Sequence, residues 1–350
     1  MTRISVIIPS YNHAAFIREA VDSVLKQSET DLELIVVDDG STDKSMEILS
    51  TFLDRRIKVI QQENRGAHSA INRGLNEATG IFLAILNSDD SYHPQRLEKT
   101  IGALEQNKDA GLVGSYIQII DTKNRTLGIK HGYRDCEPWL LEAPQRSFRG
   151  GSDLRAALLT ENYWSTTSNF VFPRRWFEKV GEFRPLRFTH DWDFALRMAR
   201  VADLILLPEP LVNYRMHETN TIREDQAAMI FEICWCLAMH LPYYIADTKF
   251  FEKLPPEARV EQLLHSIYVF GCERLLSVML LQRLPENPMF AIQLLDPENP
   301  VRIEYLSFIK ERLDSQIVKD TTSGVNTISL STTISHETKK LRKWLRMVVK

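Results

Sequence analysis

Along the first 120 residues, short apolar runs alternate with stretches whose apolar positions recur every three or four residues. ISVIIPS reads as a strand, and Phe16, Ala20, Val21, Val24 and Leu25 mark one face of the helix after it. LELIVV is a second strand. Met46, Leu49 and Leu53 stripe a second helix, whose start is flagged by the capping-type residues Ser41, Thr42 and Asp43. IKVI, a helix over 67–78, IFLAIL and a helix marked by Leu97, Ile101 and Leu104 continue the alternation up to AGLVGSYIQII. Strands apolar on both faces, each returned by a helix, predict an α/β fold: a Rossmann-like, mostly parallel sheet flanked by helices.

Residues 121–165 are irregular, punctuated by Pro138, Pro144, Gly150 and Gly151, and read as an insertion in which Trp139 and Trp164 are available to line a surface. The pattern then tightens. Asp191 opens a helix carrying Phe194, Ala195, Met198 and Ala199, and LILLPEPLVNYR follows as a strand. These features set a main domain over 1–220, with a first half at 3–120 and a second at 121–220. From 221 to 318 the period is helical, broken at LPP, LPENP and DPENP, which predicts a C-terminal helical extension. Residues 319–337 are Ser/Thr-rich and read as a flexible linker. In 338–350, Leu341, Trp344, Leu345 and Val348 form an apolar stripe among Lys and Arg, the pattern of a basic amphipathic helix able to make peripheral membrane contact.

A chain of 350 residues, 44% hydrophobic and 25% charged, has room for such a domain with an extension. Its net charge of −3 gives no footprint for nucleic-acid binding. Cys136, Cys234, Cys236 and Cys272 form no CxxC pair, so neither a disulfide framework nor structural zinc is expected. The N-terminal apolar run is too short for a signal sequence, and no stretch of about 18 consecutive apolar residues follows. A cytoplasmic protein is expected, peripheral on the membrane face if its last helix docks there.

Two buried strands end in paired aspartates: LELIVV runs into Asp38 and Asp39, and IFLAIL is followed by Asp89 and Asp90. Open α/β sheets bind ligands outside the carboxyl ends of their strands, which is where both pairs fall, together with the Pro9–Asn12 loop after the first strand. One such pair is explained by turn and cap preference. Two pairs on one rim repel unless a cation lies between them, and a divalent ion with oxygen ligands, able in turn to bind phosphates, is the natural occupant.

The opening Ile4–Asn12, then ELIVVDDGSTD, ENRGAHSAINRGLNEATG and LNSDD, resemble in order the nucleotide-sugar half of the family 2 glycosyltransferases, which have the GT-A fold. FPRRWFEKVGEF, THDWDFALRMA and LVNYRMHETN are similar to the second half, carrying the resemblance to about residue 220. It implies that Pro9, Ser10, Tyr11, Asn12 and Asp39 hold the base and ribose of a nucleotide sugar, with Asn72 and Asp89 also on the donor, and that Asp38 is structural. It implies that Asp89, Asp90 and His217 ligate Mn²⁺ or Mg²⁺, and that Asp191 is the catalytic base of an inverting transfer. Three positions depart from the family pattern: Asn87 replaces an aspartate, His190 a glutamate and Ile71 an arginine, for which Asn72 or Arg65 is the available substitute. The expected activity is transfer of a sugar from a UDP-sugar donor to a hydroxyl of a glycan or lipid-linked acceptor in cell-surface polysaccharide synthesis. The alternative is a catalytically inactive sugar-nucleotide-binding or scaffold protein of the same fold. A nucleotidyltransferase would want a glycine-rich phosphate loop where PSYNHAAF has no glycine, and a receiver domain carries its aspartates at the first strand of a much shorter chain.

Overall fold

A computed structural model of the chain describes residues 2–131, 154–159, 162–218, 224–246, 269 and 271–322. The expected linker 319–337 lies almost wholly outside the described residues, and the basic helix 338–350 and Trp139 lie outside them altogether. The chain divides into two compact units, one within Met1–Phe148 and Asn162–His217, the other within Arg149–Glu161 and Glu218–Lys350. The division at His217 falls close to residue 220, but Arg149–Glu161, expected in the second half of the main domain, goes with the helical unit.

In the first unit β1 (Ile4–Ser10), β2 (Leu32–Asp38), β3 (Ile57–Gln61) and β4 (Phe82–Ile85) lie side by side and parallel in the order β3-β2-β1-β4. The short β5 (Ser91–Tyr92), β6 (Ala110–Ile120), β7 (Thr126–Lys130), β8 (Val171–Pro173) and β9 (Asp203–Arg215) complete a mixed sheet. β8 runs antiparallel to β4 and β6, whereas the long β6–β9 ladder is parallel. β1 and β4 are buried along their whole length, as their unbroken apolar runs require, with helices covering both faces of the sheet.

Helix α1 (Ile17–Leu25) buries Ile17, Ala20, Val21 and Val24 on one stripe. The second helix is shorter than its apolar spacing predicts. α2 (Ser45–Leu49) starts after Asp43, whose carboxylate accepts the Ser45 N–H, and stops where the Ser50 and Thr51 hydroxyls donate back to the Glu47 and Ile48 carbonyls. Leu53 therefore lies beyond the helix and is 97% exposed, not part of a core stripe. α3 (Ala67–Glu77) comes so close to β1 that a Cβ on Gly74 would sit 2.4 Å from Ile7 Cγ2. α4 (Arg96–Gln106) packs on β6.

Trp164, expected to line a surface, is fully buried instead: its ring occupies the space a side chain at Gly114 of β6 would fill. Within the region read as an insertion, α5 (Leu154–Leu158) is a short helix. α6 (Arg174–Val180) and α7 (His190–Ala199) are the later helices among the described residues of the first unit.

The described residues of the second unit are mostly helical. Its α8 (Gln226–Ala246) is apolar on every side and long enough to cross a membrane by length and composition, but 83% of its apolar window is buried inside the protein. It carries the buried Glu232 and His240, and the Trp235 indole N–H donates to the Ala291 carbonyl, so it reads as the core helix of this unit.

Candidate active site

The first carboxylate pair lies where β2 ends. Asp39 is buried, and its two oxygens accept from the Arg65 and Gly66 backbone N–H groups and from Gln62 Nε2, at 2.7–3.0 Å. It therefore shapes the turn into α3. Gly66 at that turn has φ +88°, a conformation that disfavours any residue with a Cβ. Asp38 accepts from the Ser41 N–H through one oxygen, while its other oxygen and the hydroxyl of Ser10, its neighbour across the β1–β2 ladder, are buried without a partner. Pro9 lies in the same ladder, opposite Val37. Tyr11 is about half exposed beyond the end of β1, and Asn12, at φ +54°, accepts from the Thr42 N–H, tying this loop to the one after β2.

Asp89 and Asp90 follow β4 but face different ways. Asp89 accepts from His217 Nε2 at 3.0 Å. Burial disfavours its ionised form, yet the hydrogen bond from His217 and the charges of His13 and His217 outweigh this and hold its carboxyl below the usual range. Asp90 is turned inward, accepting from the Ser168 hydroxyl at 2.6 Å and from the Arg215 N–H at 2.9 Å. Burial, and then the neighbouring Asp89 charge, push its carboxyl well above the usual range. Arg215 also donates to the Asp89 carbonyl at 2.8 Å, so the end of β9 is clamped to the 89–90 turn and His217 is delivered beside Asp89.

At this rim, among the described residues, the ligand atoms of His13, Asp89 and His217 converge, all within 4.8 Å of one another. Asp90, placed among the metal ligands by the family pattern, is not in that group; His13 is. His13 accepts from or donates to Ser88 Oγ at 2.6 Å, its ring meets that of His217 edge-on, and Phe16 stacks on His217 while Arg215 lies over Phe16. One ionised carboxylate and two imidazoles suit a divalent cation. Nothing in the residue pattern around His13 singled it out; its position just past β1, on the rim shared by both carboxylate pairs, was the available signal.

Asp191 is in the first turn of α7, nearly buried, with one oxygen on the Trp192 N–H and the other accepting from Asn162 Nδ2 at 2.9 Å. Two residues on, Asp193 is committed to structure, bridging Arg184 at 2.7 Å and Arg197 at 3.0 Å. Asn72 is also committed: its amide both donates to the Phe183 carbonyl and accepts from the Phe183 N–H, which joins α3 to the segment before α7. Ile71 is in the core, and the Arg65 side chain is exposed beside Glu63. His68 in the first turn of α3 has its pKa lowered, by burial and then by the charge of His190, against the opposing pull of Asp39. The start of α7 and the Asp39 turn thus lie within electrostatic reach of one side chain.

Residues 5–181, half of the chain, match the family model described as Glycosyl transferase family 2. The chain is a family 2 glycosyltransferase. Asp191 and His217 lie beyond the matched stretch. This glycosyltransferase is 32% identical over 221 residues to an uncharacterized glycosyltransferase of Rickettsia typhi, an alignment covering 62% of this chain and 65% of that one. The chain thus aligns with just under two thirds of that relative's length. It is 31% identical over 218 residues to the uncharacterized glycosyltransferase EpsJ of Bacillus subtilis, covering 61% of this chain and 60% of EpsJ. In fold, the glycosyltransferase is similar to the mannosyltransferase PcManGT of Pyrobaculum calidifontis, solved in complex with GDP-Man and Mn²⁺, with a TM-score of 0.53, 19% identity and coverage of 92% of this chain and 88% of that one. It is likewise similar to S. aureus TarS in complex with UDP-GlcNAc, with a TM-score of 0.52, 17% identity and coverage of 89% and 92%. The mixed sheet with flanking helices is the GT-A fold of these neighbours.

Proposed function

We propose that the protein is an inverting transferase that moves a sugar from a nucleotide donor, UDP-linked, to a hydroxyl of a glycan or lipid-linked acceptor in cell-surface polysaccharide synthesis at the cytoplasmic face of the membrane. The observation that carries the reading is the convergence of His13, Asp89 and His217 at the carboxyl ends of the parallel strands. The solved neighbours, with GDP-Man and Mn²⁺ in one and UDP-GlcNAc in another, support a nucleotide sugar and a divalent cation in this fold.

His13, Asp89 and His217 would hold Mn²⁺ or Mg²⁺, which when bound neutralises the charge of the departing diphosphate. The loops after β1 and β2 form the donor wall, with Asp39 fixing the backbone turn behind it. Asp191 takes the proton of the acceptor hydroxyl as its oxygen attacks the anomeric carbon, and the bond from that carbon to the diphosphate breaks on the opposite side. One oxygen of Asp191 is already oriented by Asn162.

A panel of UDP-, GDP- and dTDP-sugars, each offered with alkyl glycoside acceptors and followed by release of the nucleoside diphosphate, tests the assignment. Release is expected from a UDP-sugar, dependent on acceptor and abolished by EDTA. Undiminished release in EDTA would overturn the cation assignment, and no release from any member would overturn the transferase reading in favour of a binding protein.

A further inference from the structure

Lys130, at the end of β7, is a lysine that is 97% buried, with 3% of its surface exposed. Its ammonium donates to the hydroxyl of Ser165. Burying an amine of this kind is costly unless its hydrogen bonds are well placed, so each partner it holds, Ser165 among them, has structural weight.

Ser165 is itself unusual, a non-glycine residue at φ +66°, the left-handed region that disfavours side chains. Its N–H donates to Asn162 Oδ1 at 3.3 Å, and its hydroxyl lies 3.5 Å from the Asn162 carbonyl and 3.4 Å from that of Tyr163. The tight turn 162–165 therefore fixes which end of the Asn162 amide faces inward. With Oδ1 taken by Ser165, the Nδ2 end must point away, and it donates to Asp191 Oδ2 at 2.9 Å. The next residue, Thr166, is anchored in turn, accepting from Asn87 Nδ2 at 3.0 Å in the turn that carries Asp89.

We infer that Lys130, Ser165 and Asn162 form a hydrogen-bonded relay that positions the Asp191 carboxylate toward the acceptor hydroxyl. This rests on the reading of Asp191 as the base. Asn162 fixes the rotation of that carboxylate, so that the lone pairs not used by Asn162 and the Trp192 N–H face one direction. Ser165 and Lys130 act through Asn162, and none of the three need touch a substrate. Positioning of this kind affects turnover and not donor binding, because a carboxylate rotated away from the hydroxyl leaves the donor wall unchanged.

The test uses Asn162→Ala, Lys130→Met and Ser165→Gly in the full-length protein, with the donor and alkyl glycoside selected by the panel. Ser165→Gly removes the hydroxyl that accepts from Lys130 but keeps the backbone N–H on Asn162 Oδ1 and relieves the positive φ, so it separates the Lys130 link from the 162–165 turn. Each variant should lower kcat about tenfold or more with UDP affinity within about twofold of wild type, Asn162→Ala most. Combined with Asp191→Asn, the Asn162→Ala factor should shrink to within about twofold, whereas a general structural effect would multiply through. In a crystal structure of Asn162→Ala, the Asp191 carboxylate should have turned away from the orientation it holds in the wild-type chain. Wild-type kcat in Asn162→Ala, or in both Ser165→Gly and Lys130→Met, overturns the relay, as does an Asp191 carboxylate that has not moved in that crystal structure. If Asp191→Asn itself proves active, the base reading fails, and the crystal structure alone still decides whether the relay holds Asp191 in place.

Discussion

Replacing Asp89 with Asn keeps the shape of the side chain and removes its charge, which isolates what the carboxylate contributes to a cation. The ligand atoms of His13, Asp89 and His217 lie within 4.8 Å of one another, so an ion among them sits no farther than that from the carboxylate; at that separation a divalent charge and a carboxylate attract by about 1.7 kcal/mol even with the dielectric constant of bulk water. Burial of the residue lowers the effective dielectric constant and raises the attraction, so about 20-fold weaker cation binding is the floor of the expected effect. Titration calorimetry of UDP into the protein at a series of Mn²⁺ concentrations reads this directly. Asp89→Asn should shift the Mn²⁺ requirement at least about 20-fold upward, following that floor. Asp90→Asn should leave it nearly unchanged, because that carboxylate faces Ser168 and the Arg215 N–H. The opposite ranking, with Asp90→Asn abolishing cation-dependent binding and Asp89→Asn sparing it, would refute the orientation of the two aspartates described above.

Gly74→Ala should lower stability by about 1–3 kcal/mol, because the new methyl meets Ile7 of the fully buried β1; a thermal melt at or above wild type would contradict the close approach of α3 to that strand. For Glu33, burial opposes ionisation, but hydrogen bonds from Ser5 and Thr79 outweigh it and hold its pKa below 4.5, so its contribution to stability is present above that pH and is lost as pH falls through the depressed value. Glu33→Gln should therefore melt below wild type at neutral pH, with the gap closing in acid, and a gap that widens in acid would contradict this sign. The full chain should co-sediment with anionic liposomes in low salt and be released in high salt, and a chain ending at Lys319 should not bind; equal partitioning of both would rule out the basic segment 338–350 as the membrane contact.

The apolar runs of β1, β2 and β4 point to the parallel core and to the rim at the carboxyl ends of its strands, because strands buried on both faces read as unbroken apolar runs. The same reasoning could not see the antiparallel insertion of β8 between β4 and β6, a pairing set by tertiary contacts across some 90 residues of chain. Leu53 misled because a helical spacing was continued past Ser50 and Thr51, whose hydroxyls end α2. At the site, adjacent aspartates are equivalent as letters, and only the fold shows that Arg215 and Ser168 hold Asp90 inward while Asp89 meets His217. His13 and Asn162 were missed for a related reason. Each is a single polar residue in a loop, and its role exists only through partners 75 and 29 residues away. Asn72 shows the converse, a position suggested by family pattern whose amide is taken up by the Phe183 backbone.

Asp191, which accepts from Asn162 at the start of α7, is the residue proposed to remove the proton from the acceptor hydroxyl. The most direct test of that role is the rate of glycosylated product formation by Asp191→Asn, followed by mass spectrometry at saturating donor and acceptor. The variant should bind UDP like wild type and form product at least about 100-fold more slowly, the loss expected for a positioned general base. Product formation within a few-fold of the wild-type rate would contradict that role and place the base elsewhere.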